Sequence, residues 1–458
     1  MIWPPVRRTT AVALALSAVL LAGCGTQAGR AAPAPTAPAP TPAPTATPTA
    51  TPTPSSDTVT LRWYMRWDKV RVDTIAKPVI EEFERTHPTI KIKFENVSVS
   101  SEYWTQLQST LSDGTGPDIF YPQVYQVDKM GKSGYLLDLN PYLARDRIDT
   151  AAYDQKAFEM YQFDQKQYGL PVDLVPVVIA YNRDMFDAAG LPYPTDDWTW
   201  DDFLAAAQKL TLDKDGDGAV DQYGVDQFTN YWPVYLWSKT GHGVFDDERA
   251  PTQFLLGEQD SVDALQWLAD LTAKHHVMPT SAERGESSDL FLDGKAAMTM
   301  LAHRQLPQYL RNAAFSWDLA AFPHGKARVV RVDGSAFVIN AHTAHPDEAW
   351  EFVKFLAGPE GHGVRMLVSL QQMLPSLSAL QQTDDFLRPK ERPTLHKDAF
   401  LPTTDTVRIS MYQPITALYE PVSQIEGESL GKLWEGKITA AEAVREMEPK
   451  IATLLKQP

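Results

Sequence analysis

The chain has 458 residues, 42 of them Lys or Arg and 58 Asp or Glu, for a formal charge of −16. That length accommodates two or three domains with a sizeable core, and 43% hydrophobic with 22% charged residues excludes a mostly disordered chain. The acidic balance excludes a general nucleic-acid binder, which carries a basic stripe, and the single cysteine excludes an intramolecular disulfide and a cysteine-built zinc site.

Arg7 and Arg8 precede an apolar run from Ala11 to Leu21, broken by Ser17, and then Leu21-Ala22-Gly23-Cys24. A charged start, a short apolar stretch and small residues before a cut read as a secretory signal peptide over 1–23. The run is shorter than the ~20 apolar residues of a membrane-spanning helix. Leu-Ala-Gly-Cys resembles the bacterial lipobox, which makes Cys24 the expected lipidated first residue of the mature chain. Residues 24–56 follow as a linker. Positions 33–54 contain only Pro, Ala and Thr, with nine prolines. Proline lacks the N–H and fixes φ, so neither helix nor sheet propagates. A semi-rigid stalk of up to about 68 Å, at ~3.1 Å per residue, is the expectation.

The body begins near Asp57. Val59, Leu61 and Trp63 alternate with polar neighbours as a strand, and Ile75, Val79, Ile80 and Phe83 recur at helical spacing. Ile90, Ile92 and Phe94 alternate again, Tyr103, Trp104, Leu107 and Leu111 mark a second helix, and Asp118-Ile119-Phe120 follows a Gly-Pro turn. This rhythm predicts a parallel sheet with crossover helices. Thr199 is placed to cap a helix from Trp200, with Trp198 and Phe203 as its staple. Pro346 opens a helix that Gly358-Pro359 stops, and Thr439 to Glu442 form a capping box for a last helix with Val444, Met447, Ile451, Leu454 and Leu455 on its apolar face.

Between helix and strand, Asp213, Asp215, Asp217 and Asp221 fall at positions 1, 3, 5 and 9 of a calcium loop, with Gly218 at position 6 and the Ala219 carbonyl at 7. Position 12 is Gly224, so the usual bidentate Glu is missing. The run reads either as a weak structural calcium site or as a solvated acidic turn. No other cofactor is required by the sequence.

Five blocks carry a resemblance in consistent order: Gly116–Phe120 with Lys132–Leu143, Tyr168–Thr211, Leu290–Met300, Pro346–Gly361 and Leu374–Leu380. Together they resemble bacterial family 1 extracellular solute-binding proteins, the maltose-binding-like sugar receptors of ABC importers. The resemblance implies an α/β, two-lobed periplasmic-binding-protein-like fold with three hinge crossings and a ligand cleft between the lobes. It places the crossings near Val172–Pro176, Ala320–Pro323 and Leu374–Ser376. Lobe I is then 57–172 with 322–374, and lobe II is 173–321 with 375–458. It further implies a monomeric receptor, which the lipobox reading of Cys24 places as lipid-anchored on the outer face of a bacterial membrane. Such a receptor captures a carbohydrate by lobe closure, delivers it to an ABC permease and catalyses nothing.

Sugars present C–H faces to aromatic rings and hydroxyls to polar side chains. Where the family's cleft loops fall, this chain offers Tyr64, Arg66 and Trp67, then Tyr121 and Gln123, Asp173 at the first crossing, and the patch around Tyr231 and Trp232. His303 and Arg304 stand where the family often has a Gly-x-Trp, and Asp333 and Ser335 flank Gly334 at its Gly-rich turn; Tyr412 closes the far wall. Arg66 and Arg304 leave open an anionic ligand, such as a sugar phosphate, glycerol phosphate or acidic sugar. The rival class is a secreted glycoside hydrolase, since acid pairs such as Asp196-Asp197 and Asp246-Asp247 occur. No G-x-S-x-G, H-E-x-x-H or phosphate-binding Gly loop accompanies them.

Overall fold

The computed structural model describes residues 58–369 and 373–456. The expected signal peptide 1–23, Cys24 and the linker 24–56 lie outside the described residues. No helix among the described residues is long and apolar enough to cross a membrane.

Two larger sheets organise the molecule, the first beside one core and the second between two. The first sheet has the strand order Ile90–Asn96, Val59–Met65, Ile119–Phe120, Ala336–Ile339, Gly169–Pro171. Its first three strands run parallel, with Val59 opposite Ile90 and Trp63 opposite Ile119. One strand breaks the purely parallel expectation: Ala336–Ile339 lies antiparallel to both its neighbours, and Gly169–Pro171 beyond it again runs with the first three. Ile119–Phe120 is short because Pro117 and Pro122 bracket it and cannot donate to a ladder. Trp63 is fully buried and meets Phe94, Phe337 and Phe352 edge-on at 5.1–5.9 Å. The helix Lys77–Thr86 inserts Val79 and Phe83 into this core, and the helix Pro346–Ala357 adds Trp350, Phe352 and Val353.

The second sheet has the order Trp317–Ala320, Val177–Asn182, Ala296–Ala302, Tyr223–Asp226. Val177–Asn182 is buried along its whole length, so its near-continuous apolar sequence serves both faces. Val177, Ile179 and Tyr181 enter one core while Val178 and Ala180 enter another, the two-residue period of a strand. Thr199 and Asp202 cap the helix Trp200–Leu210 reciprocally, and Trp198 meets Phe203 at 5.6 Å. The C-terminal helices Tyr419–Trp434 and Ala440–Leu454 pack on this body; Val444, Met447 and Ile451 are buried, while Leu454 and Leu455 are only half so.

Two of the expected crossings lie side by side. Asp173–Leu174 pairs antiparallel with Leu374–Pro375, and the Ser376 hydroxyl donates to the Pro171 carbonyl at 2.6 Å. The third differs from expectation. Phe322 and Val329, expected in lobe I, belong to the second core, where Phe322 meets Trp200 at 5.0 Å. The chain joins the first core only at Val330 and Val332. Conversely, Leu377, Leu380, Phe386 and Ile415, expected in lobe II, are buried in the first core. Prolines mark where the chain turns, whereas long-range packing decides which core a short segment joins.

Candidate ligand-binding cleft

In an open α/β sheet, loops at the carboxyl ends of parallel strands converge on one edge. Here Met65, Arg66 and Trp67 leave one strand and Tyr121 follows its parallel neighbour, so both loops open toward the same space. The crossing residues Val172, Asp173 and Val175 form another wall. Arg331, Asp333, Gly334 and Ser335 come from the adjacent passage, Tyr412 packs against the first core, and Arg304 approaches from the second body. Together they enclose roughly 920 Å³, part of it open to solvent. The cavity is thus bounded by residues of both lobes and of the segments that join them.

Each wall is fixed by local chemistry. The Asn96 side chain clamps the Trp67 backbone, accepting its N–H at 2.7 Å and donating to its carbonyl at 2.9 Å. The Trp67 ring meets Trp63 at 5.4 Å and is only 8% exposed, so it is part wall and part core. Arg66 donates from Nε to the Tyr121 hydroxyl at 3.0 Å and from Nη1 to the Ser100 hydroxyl, and its guanidinium lies over Trp104 at 5.5 Å. Gln123 stands at the start of the helix Val124–Lys132, where the Gln126 side chain accepts its N–H.

The crossings pack closely. A Cβ on Gly334 would sit 2.0 Å from the Asp173 carbonyl oxygen, so only glycine fits. The Ser335 N–H donates to Asp173 Oδ1. Burial pushes the Asp173 carboxyl up to about 6, against the pull of that N–H and of Arg71 and Arg331. Asp333 is fully occupied: Oδ2 accepts from Arg331 Nε at 2.7 Å and from Nη2, and Oδ1 accepts the Met411 N–H at 2.7 Å. Burial alone would lower the Arg331 pKa; the Asp333 carboxylate outweighs it and raises it. Burial also raises the Tyr412 phenol, helped by Asp333 and opposed by Arg331, Arg304 and Arg66. Tyr412 meets Tyr125, on the first-lobe helix, at 5.4 Å and Tyr419 at 5.2 Å.

Nine of the thirteen residues anticipated from sequence line this cavity: Arg66, Trp67, Tyr121, Gln123, Asp173, Arg304, Asp333, Ser335 and Tyr412. Four do not. Tyr64 stacks on Tyr103 at 4.7 Å and donates to Gln106, its strand position turning it into the core. Tyr231 is buried in the second core and Trp232 packs against it, because a helix begins there and draws both inward. His303 is fully buried between Phe386 and Phe400, and burial holds its imidazole well below the usual range. Sequence reading missed Arg71 and Arg331. Arg71 sits four residues before Ile75, so a helical-face reading would have paired them in the wall.

In the acidic run, one carboxylate oxygen each from Asp213, Asp215 and Asp217 lie within 4.8 Å of one another. Asp213 accepts the Gly216 and Gly218 N–H groups at 2.7 and 2.9 Å, and both glycines hold positive φ. Asp221 instead accepts the Lys214 N–H at 2.7 Å.

A family model, "Bacterial extracellular solute-binding protein", matches residues 68–363. Among curated relatives, an uncharacterized lipoprotein in the oleD 5′ region of Streptomyces antibioticus is 27% identical over 323 residues, covering 66% of this chain and 67% of that one. A multiple sugar-binding protein of Streptococcus mutans is 26% identical over 316 residues, covering 66% and 71%. An ABC substrate-binding protein of Listeria monocytogenes, solved in complex with cycloalternan, has a TM-score of 0.74 at 23% identity over 88% of this chain and all of that one. With its two bodies, paired crossings and intervening cavity, the chain belongs to the bacterial extracellular solute-binding proteins.

Proposed function

We propose that this protein is the receptor of an ABC importer, capturing a sugar or oligosaccharide between its lobes and delivering it unchanged to a membrane permease. The observation that carries this reading is the cavity itself, walled by both bodies and floored by their crossings. A ligand that contacts both lobes binds a closed arrangement better and shifts the population toward it. Relatives named for multiple sugars and for arabinooligosaccharides support the ligand class. Against a hydrolase, the cavity offers Asp173 and Asp333, and Asp333 is committed to Arg331 and the Met411 amide. Lobe I comprises 57–172 with roughly 330–374, and lobe II most of the remainder, with 377–387 returning to the first core.

The receptor acts as a monomer tethered through Cys24 to the outer face of the membrane; membrane fractionation of Cys24→Ala tests the anchor, and retention of that variant in the membrane refutes it. The Asp213–Asp221 loop serves as a weak structural calcium site. A thermal-shift screen of sugars, oligosaccharides and polyols tests the receptor reading. A ligand at 100 times its Kd adds about 2.7 kcal/mol of stability, small-angle scattering then shows a smaller radius, and the ligand is recovered intact. Turnover of the bound sugar overturns the reading.

A further inference from the structure

Four guanidiniums, those of Arg66, Arg71, Arg304 and Arg331, line the cavity against two carboxylates, in a chain whose formal charge is −16. Their partners divide them. Arg331 is locked to Asp333, both side chains nearly fully buried. Arg71 faces Asp68 at 3.5 Å, and its charge also reaches Asp173. Arg66 and Arg304 meet no carboxylate among the described residues. Arg66 spends two donors on the neutral Tyr121 and Ser100 hydroxyls, and Arg304 stands exposed at the end of the strand Ala296–Ala302. The first comes from lobe I and the second from lobe II; both line the same cavity as Tyr412, whose phenol feels the charge of each.

Two cations without acids, facing one cavity from opposite lobes, repel each other across it. A neutral sugar leaves that repulsion in place as the lobes close. An anionic group between them removes it and accepts charge-assisted, bidentate hydrogen bonds from both planar forks. Resting on the receptor reading above, we infer that the carbohydrate captured here carries an anionic group, a phosphate or a carboxylate, held between Arg66 and Arg304. The anion is then the element that joins the lobes electrostatically, while the aromatic walls and the polar groups of the crossings take the sugar.

Calorimetric titration of the full chain with matched probes tests this: glycerol against glycerol 3-phosphate, glucose against glucose 6-phosphate and glucuronate, and inorganic phosphate alone. The expected result is that at least one anionic probe binds about tenfold to a hundredfold more tightly than its neutral partner, and that the difference shrinks as ionic strength rises. The phosphate and uronate arms separate the two anion chemistries. Arg304→Gln and Arg66→Gln should each cut the anionic-to-neutral affinity ratio at least about tenfold; Arg304 is exposed, so its replacement leaves folding intact. No anionic probe exceeding its neutral partner overturns the inference, as does inorganic phosphate binding as tightly as any sugar phosphate. If a neutral sugar binds in that case, the receptor reading survives; if no carbohydrate of either kind stabilises the protein in the wider screen, that reading fails as well.

Discussion

Arg331 grips Asp333 from the side, Nε and Nη2 of one guanidinium both donating to Oδ2, in a pair that solvent hardly reaches. The pair stands where the chain passes from the second core to the first, and Met411 donates to the remaining carboxylate oxygen. Removing one partner leaves a buried charge uncompensated, a loss of about 3–5 kcal/mol. Asp333→Ala and Arg331→Ala should each lower stability by that order, measured by denaturant unfolding. Arg331→Met with Asp333→Leu should recover much of it, and a double variant as unstable as the sum of the singles would show that the pair is not the cause.

Tyr412 and Trp232 separate wall from core. Tyr412 lines the cavity, whereas Trp232 packs against the second core. Tyr412→Ala should weaken binding of a ligand found by screening by about 2 kcal/mol, as an aromatic anchor does. Trp232→Ala should leave affinity unchanged and lower only the melting temperature. The reverse pattern in a titration would move the site away from the crossings.

The Asp213–Asp217 loop gathers three carboxylates that repel one another. Millimolar calcium should raise the melting temperature, and Asp215→Ala with Asp217→Ala should abolish the gain. An equal rise in both proteins would mean non-specific screening.

Glu426 is buried on the helix Tyr419–Trp434, and its Oε1 has no hydrogen-bond partner among the described residues. Burial pushes its carboxyl up to about 8 from an ordinary 4.5. Between these values the folded protein keeps a proton that the unfolded chain has released, so stability falls as pH rises from about 4.5 to about 8 and levels off above. Glu426→Gln should remove this slope. The variant should melt higher than the parent at pH 8, with the difference vanishing toward pH 4.5. Parallel melting curves across that window would show that the carboxyl does not titrate as its burial requires.

Local signals were legible because they act within a few residues. The alternation of Val59, Leu61 and Trp63, the Thr199–Asp202 box and the apolar face of the last helix each follow from backbone geometry and neighbouring side chains. The loops after Met65 and Phe120 could be named as walls because parallel strands deliver their carboxyl ends to one edge. What the sequence by itself determined was therefore the elements, the family likeness and most of the cleft's polar residues. Tertiary structure alone decided the rest. Whether Tyr64, Trp232 and His303 face solvent or core depends on rings that arrive from distant segments, such as Phe386 and Phe400 beside His303. The passage at Val330 rather than near Ala320 depends on Trp200 holding Phe322 in the second core. And that Arg66 and Arg304 line one cavity, with no carboxylate partner among the described residues, is decided by folding that brings together segments far apart in the chain; the pairs Asp68–Arg71 and Arg331–Asp333, by contrast, are local in sequence.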